Sequence, residues 1–335
     1  KNAFSFAEAM KFLAQKYGIK YEVSDNYKEA STEYEEIYNV LKDSAEFFIQ
    51  KLSSAEGKKC RDYFKSRQFT QKTIEEFQLG YSPNSFDALS KYLIERGYEE
   101  EIIAKSGMNV QNENNRVYDR FRDRAMFPVY DTFGRIIGFG ARLLNDDKTQ
   151  PKYLNSPQTK VYDKSRTLYG LYQSKNTIID KKFAILVEGY ADVITLYQNG
   201  FKNAIASSGT SLTADQLKLL SRFSKNLTIV YDSDSAGINA AERAIDIALQ
   251  NGFNPNVISL PSGEDPDSIV RDKGNKAFQN YLDNQMNFLD FIFEINSNNP
   301  QFENVLGKTE VIKKIMLTIN LVPDEVQKDL LIQEL

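Results

Sequence analysis

The chain has 335 residues, of which 41% are hydrophobic and 26% charged, a composition typical of a folded protein with two or three domains. It has no histidine and one cysteine, Cys60, so imidazole bases, zinc clusters and internal disulfides are excluded within this sequence. Any metal must therefore be a hard ion held by oxygen ligands. We expect Cys60 to be a buried thiol, and no run approaches the roughly 18 apolar residues of a membrane span.

Charge is unevenly distributed along the chain. The formal net charge is -4, but residues 116–182 contain 14 Lys and Arg against 7 Asp and Glu, a local balance of +7. The remaining residues therefore carry -11. Such a basic stretch is a candidate footprint for a polyphosphate backbone, although a solvated surface of mixed charge explains the count equally well.

The first third of the chain has helical patterns. Residues 1–23 contain a short amphipathic pattern, residues 22–46 are strongly acidic, and further helical patterns continue to about residue 107. From Arg116 the sequence pattern changes from helical to β-rich. Two β-rich runs flank a turn at Asp131–Gly134, which predicts a hairpin. The segment that follows, QPKYLNSPQTKVYDKSRTLYG, predicts a loop.

Strand and helix patterns alternate strictly from residue 183. FAILVEG, NAIASSG, LTIVYDSD and NVISLP are short apolar runs that predict strands, and amphipathic helical patterns separate them. Near-continuous apolar strands joined by helices predict an α/β fold with a parallel sheet covered on both faces. The last sixty residues return to helical patterns.

Acidic residues follow the strands of this predicted sheet. Glu188 ends the first strand, Asp232 ends the third with Asp234 two residues later, and Asp265 and Asp267 follow the fourth. The carboxyl ends of parallel strands meet in one crevice, so these side chains are expected to converge. Crowded carboxylates repel one another unless a cation such as Mg²⁺ or Mn²⁺ neutralises them. Each acid alone also fits a helix N-cap, which is the preferred interpretation for Asp267 taken by itself.

These motifs resemble a known family. VEGYADV, SGTSLT, YDSDSAG and GEDPD resemble the Toprim motifs of bacterial primases, type IA and II topoisomerases and some nucleases. The upstream segments RFRDRAMFPVYDTFGRIIGFGAR, PKYLNSPQT and KSRTLYGL resemble the basic half of bacterial primases. Joined in this order between about residues 116 and 272, the motifs are highly specific, and the sequence is identified as a member of the bacterial DNA primase family.

The resemblance implies an organisation in four parts. Residues 1–30 would be a helical remnant after a missing zinc-binding module, and residues 31–180 a basic subdomain of mixed α/β structure. Residues 181–272 would form the Toprim catalytic subdomain, and residues 273–335 a helical subdomain. A helicase-binding domain would follow beyond Leu335, so the replicative helicase is an expected partner of the longer protein.

The resemblance also implies a reaction. It would be the synthesis of a short RNA primer on single-stranded DNA from ribonucleoside triphosphates, with two or more Mg²⁺ or Mn²⁺ ions. Glu188, Asp232 and Asp234 would be the principal metal ligands, with Glu188 helping to activate the attacking hydroxyl. Asp265 and Asp267 would support a second ion, about 3.5–4 Å from the first. Guanosine tetraphosphate would inhibit by competing at the nucleotide phosphate site.

Residues of the basic half would bind nucleotide or nucleic acid, because arginine can grip phosphates with two hydrogen bonds and lysine supplies a point charge. Tyr153 would stack on a base, although packing beneath its loop is the somewhat better alternative for a chain with 19 tyrosines. Lys148, Lys175 and Lys181 are expected to be ordinary surface residues. The candidate binding residues are Arg120, Arg122, Arg124, Arg142, Lys152, Tyr153, Asn155 and Lys164.

Two alternatives remain open from the sequence. One is a different Toprim enzyme, a nuclease or topoisomerase, although the basic half resembles the primases and not their cleavage domains. The other is a non-catalytic Toprim module that only binds nucleic acid, which would not require the full set of carboxylates. A dinucleotide-binding oxidoreductase is excluded, because no GxGxxG motif follows the first strand of the predicted sheet.

Overall fold

The structure is a computed structural model that describes residue 17 and residues 25–145, 147–209, 211–231, 234–297 and 304–334. The chain forms two compact units. The first unit contains the described residues up to Ser66 together with Thr70–Asp163, and the second contains Arg67–Phe69 and the described residues from Lys164 onward. Apart from residue 17, the amphipathic pattern of residues 1–23 lies outside the described residues, as does the metal candidate Asp232. The division into four parts stays a prediction.

The first unit begins with helices. They are α1 (Asp25–Ser53), α2 (Lys58–Ser66), α3 (Gln71–Glu76), α4 (Ala88–Glu95) and α5 (Glu100–Lys105). The long helix α1 buries Ile37, Leu41 and Phe48, which share one face at helical spacing. They pack in one apolar cluster with Phe139 and Met126 of the neighbouring sheet. Helix and sheet therefore share the core of this unit.

The sheet of the first unit has the strand order β1-β4-β5-β6, with all neighbouring strands antiparallel. A separate hairpin pairs β2 with β3. The strands are β1 (Gly80–Ser82), β2 (Asn109–Gln111), β3 (Val117–Asp119), β4 (Arg124–Tyr130), β5 (Ile136–Leu143) and β6 (Tyr153–Asn155). The predicted hairpin is confirmed, since β4 and β5 pair across the turn between Asp131 and Arg135.

Two details of the sequence interpretation were wrong. The helical pattern expected to continue to about residue 107 is interrupted by β1, and the predicted loop after residue 150 contains β6. Each of these strands has three residues, too few to show a period of two. Pairing with a longer strand creates them, because β1 lies beside β4 and β6 beside β5.

The second unit contains the predicted parallel sheet. Its strand order is β11-β10-β9-β7-β8, in which β10, β9, β7 and β8 are parallel and β11 is antiparallel to β10. The strands are β7 (Ala184–Val187), β8 (Ala204–Ala206), β9 (Asn226–Tyr231), β10 (Asn254–Ser259) and β11 (Met286–Asn287). The edge strand β11 was not predicted, because two residues carry no pattern.

Helices alternate with these strands and continue beyond them. They are α6 (Leu171–Lys181), α7 (Tyr190–Gln198), α8 (Ala214–Leu220), α9 (Ser235–Gln250), α10 (Pro266–Ser268), α11 (Asn275–Asp283), α12 (Phe288–Ser297), α13 (Val305–Ile319) and α14 (Glu325–Glu334). A π-helical turn, Ile269–Lys273, directly follows α10. Every residue of β7 is buried, which is why its sequence is apolar without alternation. The predicted α/β fold class is confirmed.

The prediction of a buried cysteine is confirmed. Cys60 is buried, with its Sγ 3.6 Å from the carbonyl oxygen of Gly80, and burial raises the pKa of the thiol. Among the helices of the described residues, none combines the length and hydropathy that crossing a lipid bilayer requires.

Candidate active site

The register of the parallel sheet aligns the residues at the carboxyl ends of its strands. Leu186 pairs with Ile229, so two residues further along both strands Glu188 lies level with Tyr231. Val187 pairs with Ala206, which places Ser207 beside Glu188 on the other side. The sheet therefore brings together the ends of β7, β8 and β9. Asp232 is the residue that directly follows β9 in the sequence.

Electrostatics supports this alignment. Burial raises the pKa of the Tyr231 hydroxyl, and the negative charge of the Glu188 carboxylate raises it further. A hydrogen bond with Ser207 acts in the opposite direction on the same pKa. Tyr231 therefore interacts with both Glu188 and Ser207 at the carboxyl edge of the sheet. Glu188 is half-buried.

Asp234 and Asp265 both cap helices. Asp234 is exposed and its Oδ1 accepts a hydrogen bond of 2.7 Å from the backbone N–H of Gly237, which caps α9. Oδ1 of the half-buried Asp265 accepts a bond of 2.6 Å from the N–H of Ser268, which caps α10. A carboxylate has about four lone-pair sites, so one capping bond leaves each acid able to bind an ion. The capping and metal-binding interpretations are compatible for these two residues.

Asp267 has a different environment. It is 1% exposed, and its Oδ2 accepts from Nη1 of Arg67 at 2.5 Å and from Nη1 of Arg271 at 2.8 Å. Its Oδ1 accepts a bond of 2.5 Å from the Thr195 hydroxyl. Two guanidinium groups and a hydroxyl therefore bond to both carboxylate oxygens, and the guanidinium groups neutralise the charge within the protein. Asp267 is therefore not one of the proposed metal ligands.

Two residues of this region were missed by the sequence analysis. Arg67 lies 200 positions from Asp267 along the chain, and no local pattern relates them. Glu264, next to Asp265, accepts a hydrogen bond from the Ser268 hydroxyl and forms an ion pair of 2.9 Å with Lys273. The Ser268 bond, and then Lys273, hold the pKa of Glu264 below its usual value. The motif GEDPD therefore consists largely of residues that hold α10 in place.

The acids that follow the strands of the sheet are of the residue type that a hard divalent ion requires. Glu188 directly follows β7, Asp232 and Asp234 follow β9 in the sequence, and Asp265 lies further along the segment after β10. Across the residues that the structure describes, which omit Asp232, no group of three acidic or cysteine side chains is close enough to hold a metal by itself. Carboxylates completed by water are the ordinary environment of Mg²⁺.

Lys164 lies at the same edge of the sheet. Its Nζ donates a 3.1 Å hydrogen bond to the carbonyl oxygen of Gly209, in the loop that follows β8. Partial burial lowers the pKa of this ammonium group. Gly209 has a positive φ of 80°, a backbone conformation that favours glycine. The structure thus places this predicted binding residue beside the loop after β8, the strand that pairs with β7.

The other predicted binding residues belong to the first unit, where two arginines are structural. Arg120 donates from Nε and Nη2 to the carbonyl oxygen of Asn155, at 3.2 and 3.0 Å, so it ties β6 to the segment before β4. Arg124 is 2% exposed and donates to the carbonyl oxygen of Pro151 at 3.0 Å. Burial lowers the pKa of both guanidinium groups. Arg124 in particular faces protein and not solvent.

Arg142, Lys152 and Tyr153 are more accessible. Arg142 of β5 pairs in register with Tyr153 of β6, and its guanidinium carbon lies 4.2 Å from the centre of the Tyr63 ring. Its Nε is buried and finds no acceptor among the described residues. Lys152 is exposed, and Tyr153 is 43% exposed and not packed beneath its loop. These residues form a cationic and aromatic surface on β5 and at the start of the edge strand β6.

Comparisons with known proteins agree with this architecture. A model of the DNA primase catalytic core N-terminal domain matches residues 47–175, and a Toprim-like model matches residues 185–270. The DNA primase of Clostridium acetobutylicum is 40% identical over 99% of this chain and 55% of its own length. The DNA primase of Escherichia coli K12 is 38% identical over 89% of this chain and 52% of its own length. The chain therefore spans about half the length of these relatives.

This chain is similar to two solved structures over nearly their whole length. A DnaG primase catalytic domain bound to ssDNA superposes with a TM-score of 0.80 and 35% identity, covering 91% of this chain and 98% of that one. A DNA primase domain from Pseudomonas aeruginosa gives a TM-score of 0.82 and 36% identity, covering 89% and 94% of the two chains. The chain therefore belongs to the DnaG-type bacterial DNA primases, as a catalytic core that joins the primase-specific N-terminal domain to a Toprim domain.

Proposed function

We propose that this chain is the catalytic core of a DNA-directed RNA polymerase that synthesises short RNA primers on single-stranded DNA. The observation that supports the proposal most directly is the alignment of Glu188 with the end of β9, the strand that Asp232 and Asp234 follow in the sequence. Lys164 bonds to the loop after β8, the strand on the other side of β7. The acids can hold metal ions and the lysine can bind a phosphate, so together they could bind a metal-bound triphosphate. This agrees with membership of the DNA primase family.

The proposed metal ligands are Glu188, Asp232, Asp234 and Asp265. Bound Mg²⁺ or Mn²⁺ would stabilise the negative charge on the attacking and leaving oxygens of the phosphoryl group. Within the chain, the helix caps fix the backbone of Asp234 and Asp265 and so restrict where their carboxylates lie. Lys164 supplies a positive charge for a phosphate oxygen. Because the chain has no histidine, Glu188 is the candidate to accept a proton from the attacking hydroxyl.

The first unit supplies the cationic surface for template and nucleotide. We include the exposed Lys152 and Tyr153 in this role, together with the half-buried Arg142 that pairs in register with Tyr153. Further proposals follow from family membership alone. They are docking of a replicative helicase to a part of the longer protein outside this sequence, and inhibition by guanosine tetraphosphate in competition with the nucleotide triphosphates.

Metal removal tests the proposed reaction. The protein is incubated with a single-stranded template, labelled ribonucleoside triphosphates and Mg²⁺, and the products are separated by length. We expect short RNA products that a chelator abolishes and that added Mg²⁺ or Mn²⁺ restores. Cleavage or relaxation of the DNA in place of RNA synthesis would instead support a nuclease or topoisomerase, and binding without any product would support a non-catalytic module.

Truncation of Arg142 or Lys152 tests the cationic surface. We expect Arg142→Ala and Lys152→Ala each to weaken binding of template or nucleotide by about 1–3 kcal/mol, the range of a lost charged hydrogen bond. Exposed Arg116 and Lys148 provide matched control substitutions to alanine, with no expected effect. Binding is measured by the anisotropy of a labelled oligonucleotide or triphosphate. Unchanged affinity for both ligands in both variants would contradict the assignment.

A further inference from the structure

Lys164 lies in a short turn of the second unit. The turn is a 3₁₀ turn, Lys164–Arg166. The segment after it pairs with β8 through Tyr169, which exchanges backbone hydrogen bonds of 2.8 and 3.0 Å with Ala206. So short a turn satisfies few of its own carbonyl oxygens. The donors to these oxygens therefore show what holds the turn in place.

A buried glutamine donates to the turn and to the residue that follows it. Gln216 of α8 is 0% exposed, and its Nε2 donates to the carbonyl oxygens of Lys164 and Thr167, at 3.2 and 2.8 Å. Its Oε1 accepts a 3.0 Å bond from the backbone N–H of Thr213, the residue that caps α8. Three of the four hydrogen-bonding positions of the amide are therefore used.

Thr213 binds a further carbonyl oxygen of the turn. Its hydroxyl donates to the carbonyl oxygen of Ser165 and accepts a 3.1 Å bond from the backbone N–H of Gln216. Two side chains at the start of α8 thus bind the carbonyl oxygens of Lys164, Ser165 and Thr167. These bonds fix the turn relative to α8.

Both ends of Lys164 bond to the part of the chain that follows β8. Its carbonyl oxygen accepts from Gln216, and its Nζ donates to the carbonyl oxygen of Gly209 at 3.1 Å. A lysine binds a phosphate as a point charge at the end of a flexible stem. The position of that charge depends on where the backbone lies, so residues that fix the backbone also restrict the charge.

The amide of Gln216 does more than stabilise its own helix. Leu217 and Leu220 of α8 are also fully buried, and they belong to the apolar core of the unit. A buried amide is costly unless it is hydrogen-bonded, and an apolar side chain would fill the same space without that cost. A capping box explains the bond to Thr213. It does not explain the two bonds from Nε2, which leave the helix and hold the turn.

We infer that Gln216 is a positioning residue for primer synthesis. Together with Thr213, it fixes the turn that carries Lys164 and so places the ammonium group for the phosphates of an incoming ribonucleoside triphosphate. The inference rests on the proposed function, in which Lys164 supplies a positive charge for a phosphate oxygen. Gln216 and Thr213 act through Lys164 and not by contact with the nucleotide.

A double-mutant cycle tests this dependence on Lys164. Gln216→Met keeps the length of the side chain but removes both N–H donors. Binding of fluorescently labelled ATP in the presence of Mg²⁺ is measured by anisotropy. We expect Lys164→Ala to weaken binding on the order of tenfold and Gln216→Met about fivefold. The double variant should bind as Lys164→Ala does, because a residue that acts through Lys164 has no effect once Lys164 is removed.

Kinetics and a second position provide independent measurements. In Gln216→Met, the KM for the ribonucleoside triphosphates should rise by the same factor as the dissociation constant, while kcat stays within about twofold of the wild type. Thr213→Val removes the hydroxyl that binds Ser165 and should weaken binding of labelled ATP several-fold. Thr213→Ser retains a hydroxyl and should bind labelled ATP as the wild type does.

Two control variants separate positioning from stability. Asp215→Asn weakens the exposed 3.8 Å ion pair between Asp215 and Arg166 of the same turn. Thr228→Val removes a buried hydroxyl that donates to Oε1 of Gln285 at 2.7 Å, outside the turn and α8. Both variants should bind labelled ATP as the wild type does, although Thr228→Val lowers the melting temperature. Circular dichroism melting curves confirm that the compared variants are folded.

Three results would overturn the inference. They are equal affinity of Gln216→Met and wild type for labelled ATP, a further loss when Gln216→Met is added to Lys164→Ala, and an equal loss in Thr228→Val. Primer synthesis by the wild type is measured in parallel. If primers are made and only Lys164→Ala weakens binding, the positioning role alone fails. If Lys164→Ala also binds normally, the role of Lys164 fails with it, whereas a wild type that makes no primers contradicts the proposed function itself.

Discussion

Replacement of Glu188 by glutamine is expected to reduce primer synthesis by about 10³-fold or more. The substitution keeps the size of the side chain but removes a negative charge from the carboxyl edge of the sheet, beside buried Tyr231. A metal ion contributes several kcal/mol to a phosphoryl-transfer reaction, and each 1.36 kcal/mol corresponds to a factor of ten in rate. Asp232→Asn is expected to abolish synthesis for the same reason.

The measurement is the rate of primer synthesis at saturating Mg²⁺ and nucleotide, with Glu325→Gln as the control. Glu325 belongs to the same unit, is 80% exposed and pairs only at the surface with Lys328, so its substitution should leave the rate unchanged. Mn²⁺ binding, followed by electron paramagnetic resonance, should weaken in Glu188→Gln. A folded Glu188→Gln protein with the wild-type rate and wild-type Mn²⁺ affinity would refute the assignment.

The parallel sheet could be predicted because every residue of β7, and every residue of β9 after Asn226, is buried. FAILVEG and LTIVYDSD are apolar at nearly every position, and glycines or polar residues end each run. Once the strands are known, the convergence of their carboxyl ends follows from topology, as the register of Glu188 and Tyr231 shows. The short strands β1, β6 and β11 were missed because tertiary pairing, and not their own sequence, makes them strands.

The environments of individual side chains could not be predicted from motifs. Arg124 and Arg142 are both arginines of the basic half, yet Arg124 is buried against the carbonyl oxygen of Pro151 and Arg142 stacks on Tyr63 in a more open position. Charge counts do not distinguish these situations, since they depend on which face of a strand carries the residue.

Asp267 is the carboxylate for which sequence and structure lead to different expectations. By position it follows a strand end and matches a metal ligand of the sequence analysis. In the structure it is 1% exposed and neutralised by Arg67 and Arg271. We expect Asp267→Asn to lower the free energy of unfolding by about 3 kcal/mol, because removing one partner of a buried ion pair leaves the others uncompensated.

Urea denaturation in the presence of a chelator distinguishes the two roles. An ion-pair anchor stabilises the fold without metal, so the full difference between wild type and Asp267→Asn should be present in chelator and should not grow with added Mn²⁺. A metal ligand predicts the opposite, since binding to the native state alone adds stability that increases with metal concentration. In that case the difference would be small in chelator and would appear only as Mn²⁺ is added.

Two control variants frame this measurement. Asp272→Asn removes the other acidic partner of Arg271, but Asp272 is 59% exposed and the pair should contribute less than about 1 kcal/mol. Asp234→Asn keeps a good helix cap, so its stability in chelator should be close to that of the wild type, whereas stabilisation by Mn²⁺ should be reduced. If Asp267→Asn instead behaves like Asp234→Asn, Asp267 belongs with the metal ligands and Arg67 and Arg271 hold it only until an ion binds.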